Sequence, residues 1–216
     1  MGRVVAIDGP SGAGKSTVSR IVAEKLGFRF LDTGALYRAV ALHLRRRGVS
    51  PEADDDSIAE ALVGAVVYIN GGRVHLNGED VSEEVRTTEA GHYASVFSAR
   101  KAVRDFLLGL QRESARDEDI VVEGRDMTTV VFPDAWKKFY LDASSEIRAE
   151  RRYMQLREKG VSITMEGALD DVRERDERDS GRKIAPLKRA PDAVYIDTSP
   201  LSLDGVVAVM LREIGG

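Results

Sequence analysis

Gly9-Pro10-Ser11-Gly12-Ala13-Gly14-Lys15-Ser16-Thr17 fits the spacing G-x-x-x-x-G-K-[ST], that of a loop wrapping the phosphates of a nucleoside triphosphate. Its flanks give it a structural setting. Arg3-Val4-Val5-Ala6-Ile7-Asp8 ahead of it reads as a short apolar strand. Behind it, Val18, Ile21, Val22 and Leu26 fall on one face of a helix. The glycines let the chain curl so that backbone N–H groups point at phosphate oxygens, and the helix adds the positive end of its dipole. On this reading residues 9–17 bind ATP, Lys15 bridges the β- and γ-phosphates, and the Ser16 hydroxyl holds Mg²⁺. The strand–loop–helix setting argues against a glycine-rich turn with no ligand.

Composition narrows the class. The 216 residues suit one α/β domain with room for inserts, and 43% hydrophobic against 31% charged residues is the balance of a soluble globular chain. A net charge of −4 argues against bulk attraction to nucleic acid or an anionic membrane. The absence of cysteine excludes disulfides, thiolate catalysis and cysteine metal sites, and His43, His75 and His92 lack metal-ligand spacing. No apolar stretch approaches the roughly 20 residues of a membrane span, and the first residues lack a signal-peptide core. The expected location is the cytoplasm.

Short β-rich runs recur at Val4–Ile7, Phe28–Leu31, Ile120–Val122, Phe139–Leu141 and Val194–Ile196, each reading as a strand buried on both faces. Helical patterns lie between them at about Lys15–Leu26, Ala35–Arg47, Lys101–Ala115, Ser145–Lys159 and Leu203–Ile214. This alternation implies a parallel sheet covered on both sides, with ligands at the carboxyl ends of its strands. Val66–Gly78 breaks the rhythm. It alternates with period two around two Asn-Gly signals, which predicts an antiparallel hairpin within a β insert at about 62–85. Pro51–Asp56 reads as a solvated acidic connection. From Arg148 to Arg189, twelve Lys/Arg interleave with nine Asp/Glu. Alone that is a solvated helix laced with ion pairs; beside a phosphate loop it reads as an arginine-rich lid.

Further stretches carry a family resemblance. They are Ile7–Ser16, Leu31-Asp32-Thr33-Gly34-Ala35-Leu36-Tyr37-Arg38, Gly124-Arg125-Asp126-Met127 with Thr129–Ala135, Leu141–Ser145 and Glu174–Arg182. Together the chain resembles bacterial cytidylate kinases over essentially its whole length. The resemblance implies an α/β P-loop nucleoside monophosphate kinase fold: a five-stranded parallel sheet flanked by helices, a small antiparallel β insert and a short arginine-rich lid. It implies one kinase domain, 1–216, with a core of about 1–32, 86–147 and 190–216, a monophosphate-binding region of about 33–104 and a lid of about 150–185. The implied reaction moves the γ-phosphoryl group of MgATP to CMP or dCMP, in a monomer with no nucleic-acid or membrane partner. Glu123 stands where the family often has Asp, and Thr128 where it often has Gly. Neither is expected to touch a residue assigned to chemistry.

Cations must sit between two phosphates that approach each other, and Arg38 and Arg125 offer guanidinium forks for the acceptor phosphate. By resemblance, Thr33 belongs to the substrate-binding set, while Arg104 and Ser95 serve the cytosine acceptors and Asp126 takes a hydrogen from the 4-amino group. Arg175 and Asp179 share a face at i,i+4, and the resemblance brings them to the acceptor ribose and phosphates, with Arg182 swinging in on the transferring group. Lys15, Arg125 and Arg182 form the catalytic set. Arg178 is expected to pair with Glu174, and Asp32 to cap the helix carrying Arg38. Asp8 suits either a Mg²⁺-bound water or loop capping. No general base is required, because the attacking oxygen is already ionised at neutral pH. Two other readings stand beside this one. A P-loop kinase with another acceptor (UMP, AMP, shikimate, dephospho-coenzyme A) would keep Lys15 and Ser16 but change the base-reading residues. A nucleotide switch or binding module would turn over no small acceptor, and the Asn-Lys-x-Asp guanine signature of a GTP switch does not occur.

Overall fold

Val4–Asp8 forms β1, the strand before the phosphate loop, and all five of its residues are buried. The computed structural model describes residues 2–215. After β1 come α1 (Lys15–Leu26), β2 (Arg29–Asp32), α2 (Thr33–Arg46), α3 (Asp55–Leu62), β3 (Val67–Asn70), β4 (Arg73–Leu76) and β5 (Glu79–Asp80). The chain continues with α4 (Thr88–Phe97), α5 (Lys101–Glu113), β6 (Ile120–Glu123), β7 (Lys137–Asp142), α6 (Ser145–Glu158), α7 (Met165–Gly181), β8 (Val194–Asp197) and α8 (Leu203–Gly215). A π-helical turn spans Met127–Val131. These elements gather into two compact units, residues 1–30 with 118–216, and residues 31–117.

The first unit is built on the parallel sheet, in the order β2-β6-β1-β7-β8, with β2 leading into the second unit. β1 is central. Ile7 lies opposite Glu123 of β6 on one side and Phe139 of β7 on the other, so the carboxyl ends of β1 and β6 lie beside the Phe139–Tyr140 stretch of β7, which runs on to Asp142. Val18 and Val22 of α1 and Val207 and Met210 of α8 share one core with Val5, Val121 and Phe139. Truncating Phe139 there would cost about 3–5 kcal/mol through lost burial and a cavity. β1 and β6 are buried throughout, as expected of strands covered on both faces. β8 is not: it is an edge strand, and Tyr195 on it is 47% exposed, stacked on Tyr140. The basic stretch after β7 folds into α6 and α7, joined by an Arg152–Asp171 pair at 2.8 Å.

In the second unit α2 begins where expected, because Asp32 caps it and accepts from the Ala35 N–H at 2.9 Å. The acidic run after Pro51 is not only a connection. Asp54 caps α3, accepting from Ser57 N–H at 2.8 Å, and Asp55 and Asp56 fill its first turn, where the dipole favours carboxylates. α4 was not foreseen; its Ala-Gly-His-Tyr run has little apolar period, and Thr87 starts it by accepting from the Ala90 N–H at 3.1 Å. The predicted hairpin is present as β3–β4 and extends to a third strand, β5. Asn77 takes a positive φ of 51° at the second turn, a conformation asparagine tolerates. Arg46 ties this sheet to the helix by reaching Glu79 at 2.7 Å and Glu84 at 2.8 Å.

Candidate active site

The phosphate loop leaves the buried end of β1 through Gly9, where a Cβ would lie 1.9 Å from the Leu141 carbonyl oxygen; only glycine lets the strand end pass so close to β7. Gly14, at φ 87°, turns the chain into α1. Lys15 follows as the first helical residue, 5% exposed, its Nζ donating to the Pro10 carbonyl at 2.7 Å. Burial pushes its ammonium down to about 7, with Arg125 and Arg175 acting in the same sense and Glu123 and Asp179 opposing them. Ser16 donates its hydroxyl hydrogen to the Glu123 carboxylate. The carbonyls of the loop face other partners. Ser11 accepts from Arg148 at 3.2 Å, Gly12 from Arg151 at 3.3 Å, and Ala13 from the Thr198 hydroxyl at 3.3 Å.

The second part of the site follows β6. Arg125 Nε donates to Asp179 Oδ2 at 2.7 Å, and its Nη1 to the Gly124 carbonyl at 3.1 Å. Against burial, which acts the other way, Asp179, Glu123 and Asp8 hold the Arg125 guanidinium charged above its ordinary range. Burial would raise the Asp179 carboxyl, yet Arg125, Arg175 and Arg182 hold it below the usual range. The structure thus brings Lys15, Ser16, Glu123, Arg125, Arg175, Asp179 and Arg182 into one electrostatic cluster within the first unit. Arg178 stands apart: it donates to the Glu174 carbonyl at 3.3 Å, not to the expected carboxylate. Asp126, 2% exposed, occupies the N-cap position of the π-helical turn.

Thr33, Arg38, Ser95 and Arg104 all belong to the second unit. Thr33 is buried as the first residue of α2, and Arg38, one turn on, pairs with Asp32 at 3.2 Å. Arg104, 7% exposed, donates to the Ser98 carbonyl at 3.1 Å and lies 5.7 Å from the Tyr37 ring centre. Ser95 lies inside α4 rather than at its cap, and its buried hydroxyl makes no hydrogen bond among the described residues.

One expectation needs correction. Glu123 does touch a residue assigned to chemistry, because its carboxylate takes the Ser16 hydroxyl. Thr128 bonds Asp8 through both its N–H and its hydroxyl. Both residues make contacts at or just beyond the strand ends. Asp8 thus caps the loop after β6, one of the two roles that suit it. Arg148 and Arg151 were seen only as members of a charged helix. Their spacing at i and i+3 next to the Leu141–Ser145 motif was the available signal. Among the described residues no cluster of three or more His, Cys, Asp or Glu is arranged to hold a metal. A Mg²⁺ ion that keeps most of its waters and rests on nucleotide phosphates needs only one or two protein ligands. Ser16 and Glu123 fit that requirement, a hydroxyl and a carboxylate in contact.

Comparison with known proteins shows the family. A family model described as cytidylate kinase matches residues 5–215. A cytidylate kinase of Thermodesulfovibrio yellowstonii is 54% identical over 99% of this chain and 98% of its own length. One from Geobacter sulfurreducens is 49% identical over 95% and 90%. Among solved structures, a shikimate kinase from Bacteroides thetaiotaomicron superposes with a TM-score of 0.50 at 14% identity, covering 99% of each chain, a likeness of fold alone. With the family model spanning nearly every residue and relatives near half identity, the chain belongs to the cytidylate kinase family.

Proposed function

We propose that the phosphate loop and the arginine cluster of the first unit carry the reaction of this family, transfer of the γ-phosphoryl group of ATP to CMP or dCMP, giving the diphosphate and ADP. The observation that carries the assignment is the convergence of Lys15, Arg125, Arg175 and Arg182 around Asp179 at the carboxyl ends of the central strands. Four cationic groups in one half-buried place suit a reaction that drives two phosphate groups together.

In this reading residues 9–17 bind ATP through the loop N–H groups. Lys15 bridges the β- and γ-phosphates, whose charge restores the proton that burial makes easy to lose. Ser16 and Glu123 would hold Mg²⁺, which when bound supplies charge neutralisation between the phosphates. Arg125, with Arg175, grips the acceptor phosphate; Asp179 accepts from a ribose hydroxyl. Arg182 stabilises charge on the transferring group, an effect worth roughly 10³–10⁵ in rate in related transfers. In the second unit Thr33 and Arg38 serve the acceptor, and Ser95 and Arg104 donate to cytosine O2 and N3. In the first, Asp126 accepts from the 4-amino group. Uracil reverses the pattern at N3 and position 4 and would leave that carboxylate facing an oxygen. No residue is needed as a general base. A monomeric state and a cytoplasmic location belong to the same proposal and follow from the family resemblance; no described helix is long and apolar enough to cross a membrane.

The test is an ADP-release assay with MgATP and CMP, dCMP, UMP, AMP, GMP or shikimate. The expected result is dominance of CMP and dCMP by about a hundredfold, some 2.7 kcal/mol of transition-state discrimination. Preference for another acceptor would overturn the base-reading residues while leaving the phosphate loop in place.

A further inference from the structure

Arg148 of α6, 6% exposed, joins three parts of the first unit through one guanidinium. Its Nε donates to the Ala143 carbonyl at 2.9 Å, in the turn from β7 into α6. Its Nη1 donates to the Ser11 carbonyl of the phosphate loop at 3.2 Å. Nη1 and Nη2 together grip Asp176 of α7, at 3.0 and 2.7 Å. Such a fork fixes its partner in angle as well as distance, and its charge-assisted bonds are among the strong ones. The loop packs directly on this residue: a Cβ at Gly12 would lie 2.9 Å from the Arg148 Cβ. On α7, Ala168, Val172 and Asp179 are buried, and the helical repeat puts Asp176 on that same inner face, next to Arg175 in the chain. A second pair joins the same two helices, Arg152 to Asp171 at 2.8 Å, but the other bond of Arg152 goes to Gln155. Of these two ion pairs between α6 and α7, the one made by Arg148 continues into the phosphate loop.

We infer that Arg148 and Asp176 are positioning residues that couple the two substrates: phosphates seated in the loop fix Arg148, Arg148 fixes Asp176, and α7 then presents Arg175 and Asp179 to the acceptor. This rests on the assignment of Arg175 and Asp179 to the acceptor nucleotide. The peptide between Ser11 and Gly12 carries the link. Its carbonyl is taken by Arg148 and its N–H belongs to the loop, so a phosphate oxygen accepting from that N–H polarises the carbonyl and strengthens the bond to Arg148. Binding couplings are reciprocal, so an acceptor that fixes α7 tightens ATP by the same factor.

The test is calorimetric titration of CMP with and without a saturating Mg²⁺ complex of the non-hydrolysable β,γ-imido analogue of ATP. The unaltered chain is compared with Asp176→Asn and Asp171→Asn, and Tm is measured for each. In the unaltered chain the analogue should tighten CMP about tenfold, an ordinary size for coupling between two sites. Asp176→Asn should cut that factor to about twofold or less, while the affinity for the analogue alone changes by no more than about twofold. Asp171→Asn, which breaks the pair that does not reach the loop, should keep the full factor whatever it does to Tm. Arg148→Met combined with Asp176→Leu leaves no lone buried charge, should also lose the coupling, and serves in place of Asp176→Asn should that variant not fold. Full coupling in Asp176→Asn, equal losses in the two asparagine variants, or no coupling in the unaltered chain would overturn the inference and leave the pair a stabilising contact only. Failure of the unaltered chain to bind CMP would instead overturn the proposed function on which it rests, and with it the inference.

Discussion

Arg125 and Asp179 are bound to each other at 2.7 Å, the guanidinium from the loop after β6 and the carboxylate from α7, both nearly enclosed. Removing one partner of such a pair leaves a buried charge alone, at a cost of about 3–5 kcal/mol. Asp179→Asn should therefore be destabilised at neutral pH. The carboxyl is held below its ordinary value, so its stabilising contribution is complete above the unfolded value and is lost as pH falls through the folded one. Urea denaturation from neutral pH down to about pH 3 should show the gap between the two proteins closing on acidification. A gap independent of pH would mean that Asp179 stabilises by packing.

Lys15 carries a buried ammonium. Its ammonium, pushed down to about 7 chiefly by burial, makes the unfolded chain the better proton binder from about 7 to 10.5. Stability contributed at this position accordingly rises with pH across that window, and the penalty is full below it. Lys15→Met should be more stable than the unaltered chain below pH 7, with the advantage shrinking towards pH 10, while turnover falls by at least about a hundredfold. Thermal unfolding at several pH values, alongside the ADP-release assay, checks both parts.

Glu123→Gln keeps the shape beside Ser16 and removes the charge. The apparent Mg²⁺ requirement should rise about tenfold, with turnover recovering at high Mg²⁺. Titrating Mg²⁺ into the kinase assay, and into ATP binding followed by calorimetry, separates this from loss of the phosphate loop, which no amount of metal would rescue.

Ser95→Ala removes a buried hydroxyl that has no hydrogen-bond partner among the described residues. Relieving it should leave Tm unchanged or raise it slightly, since an unmet buried polar group costs about 1–3 kcal/mol. The kcat/KM for CMP should nonetheless fall about tenfold. Equal activity with the higher Tm would remove Ser95 from the substrate-binding set.

The parallel sheet was legible because its strands are short apolar runs between amphipathic helices, a pattern that survives without any contact information. α3 and α4 were not, because their start signals, Asp54 and Thr87, are single capping residues inside polar stretches. The phosphate loop and the arginines of α7 could be read from local motifs. The Ser16–Glu123 and Asp8–Thr128 bonds could not, since each joins residues more than a hundred positions apart and depends on which strands are neighbours in the sheet. Arg148 shows the same limit. In the sequence it is one basic residue of a charged helix; in the fold it is buried, bonded to the Ala143 and Ser11 carbonyls and paired with Asp176 at 2.7 Å.

Arg148, Arg151 and Thr198 take the carbonyls of Ser11, Gly12 and Ala13 from outside the phosphate loop. A peptide whose carbonyl is pulled one way turns its N–H the other. The anion receptor is therefore shaped by side chains 137 to 185 residues away from the motif that names it. Its stiffness is a property of the surrounding scaffold, and little ordering is left for the nucleotide to impose when it arrives. Transplanting residues 9–17 alone into another sheet would carry over the letters of the motif without the receptor.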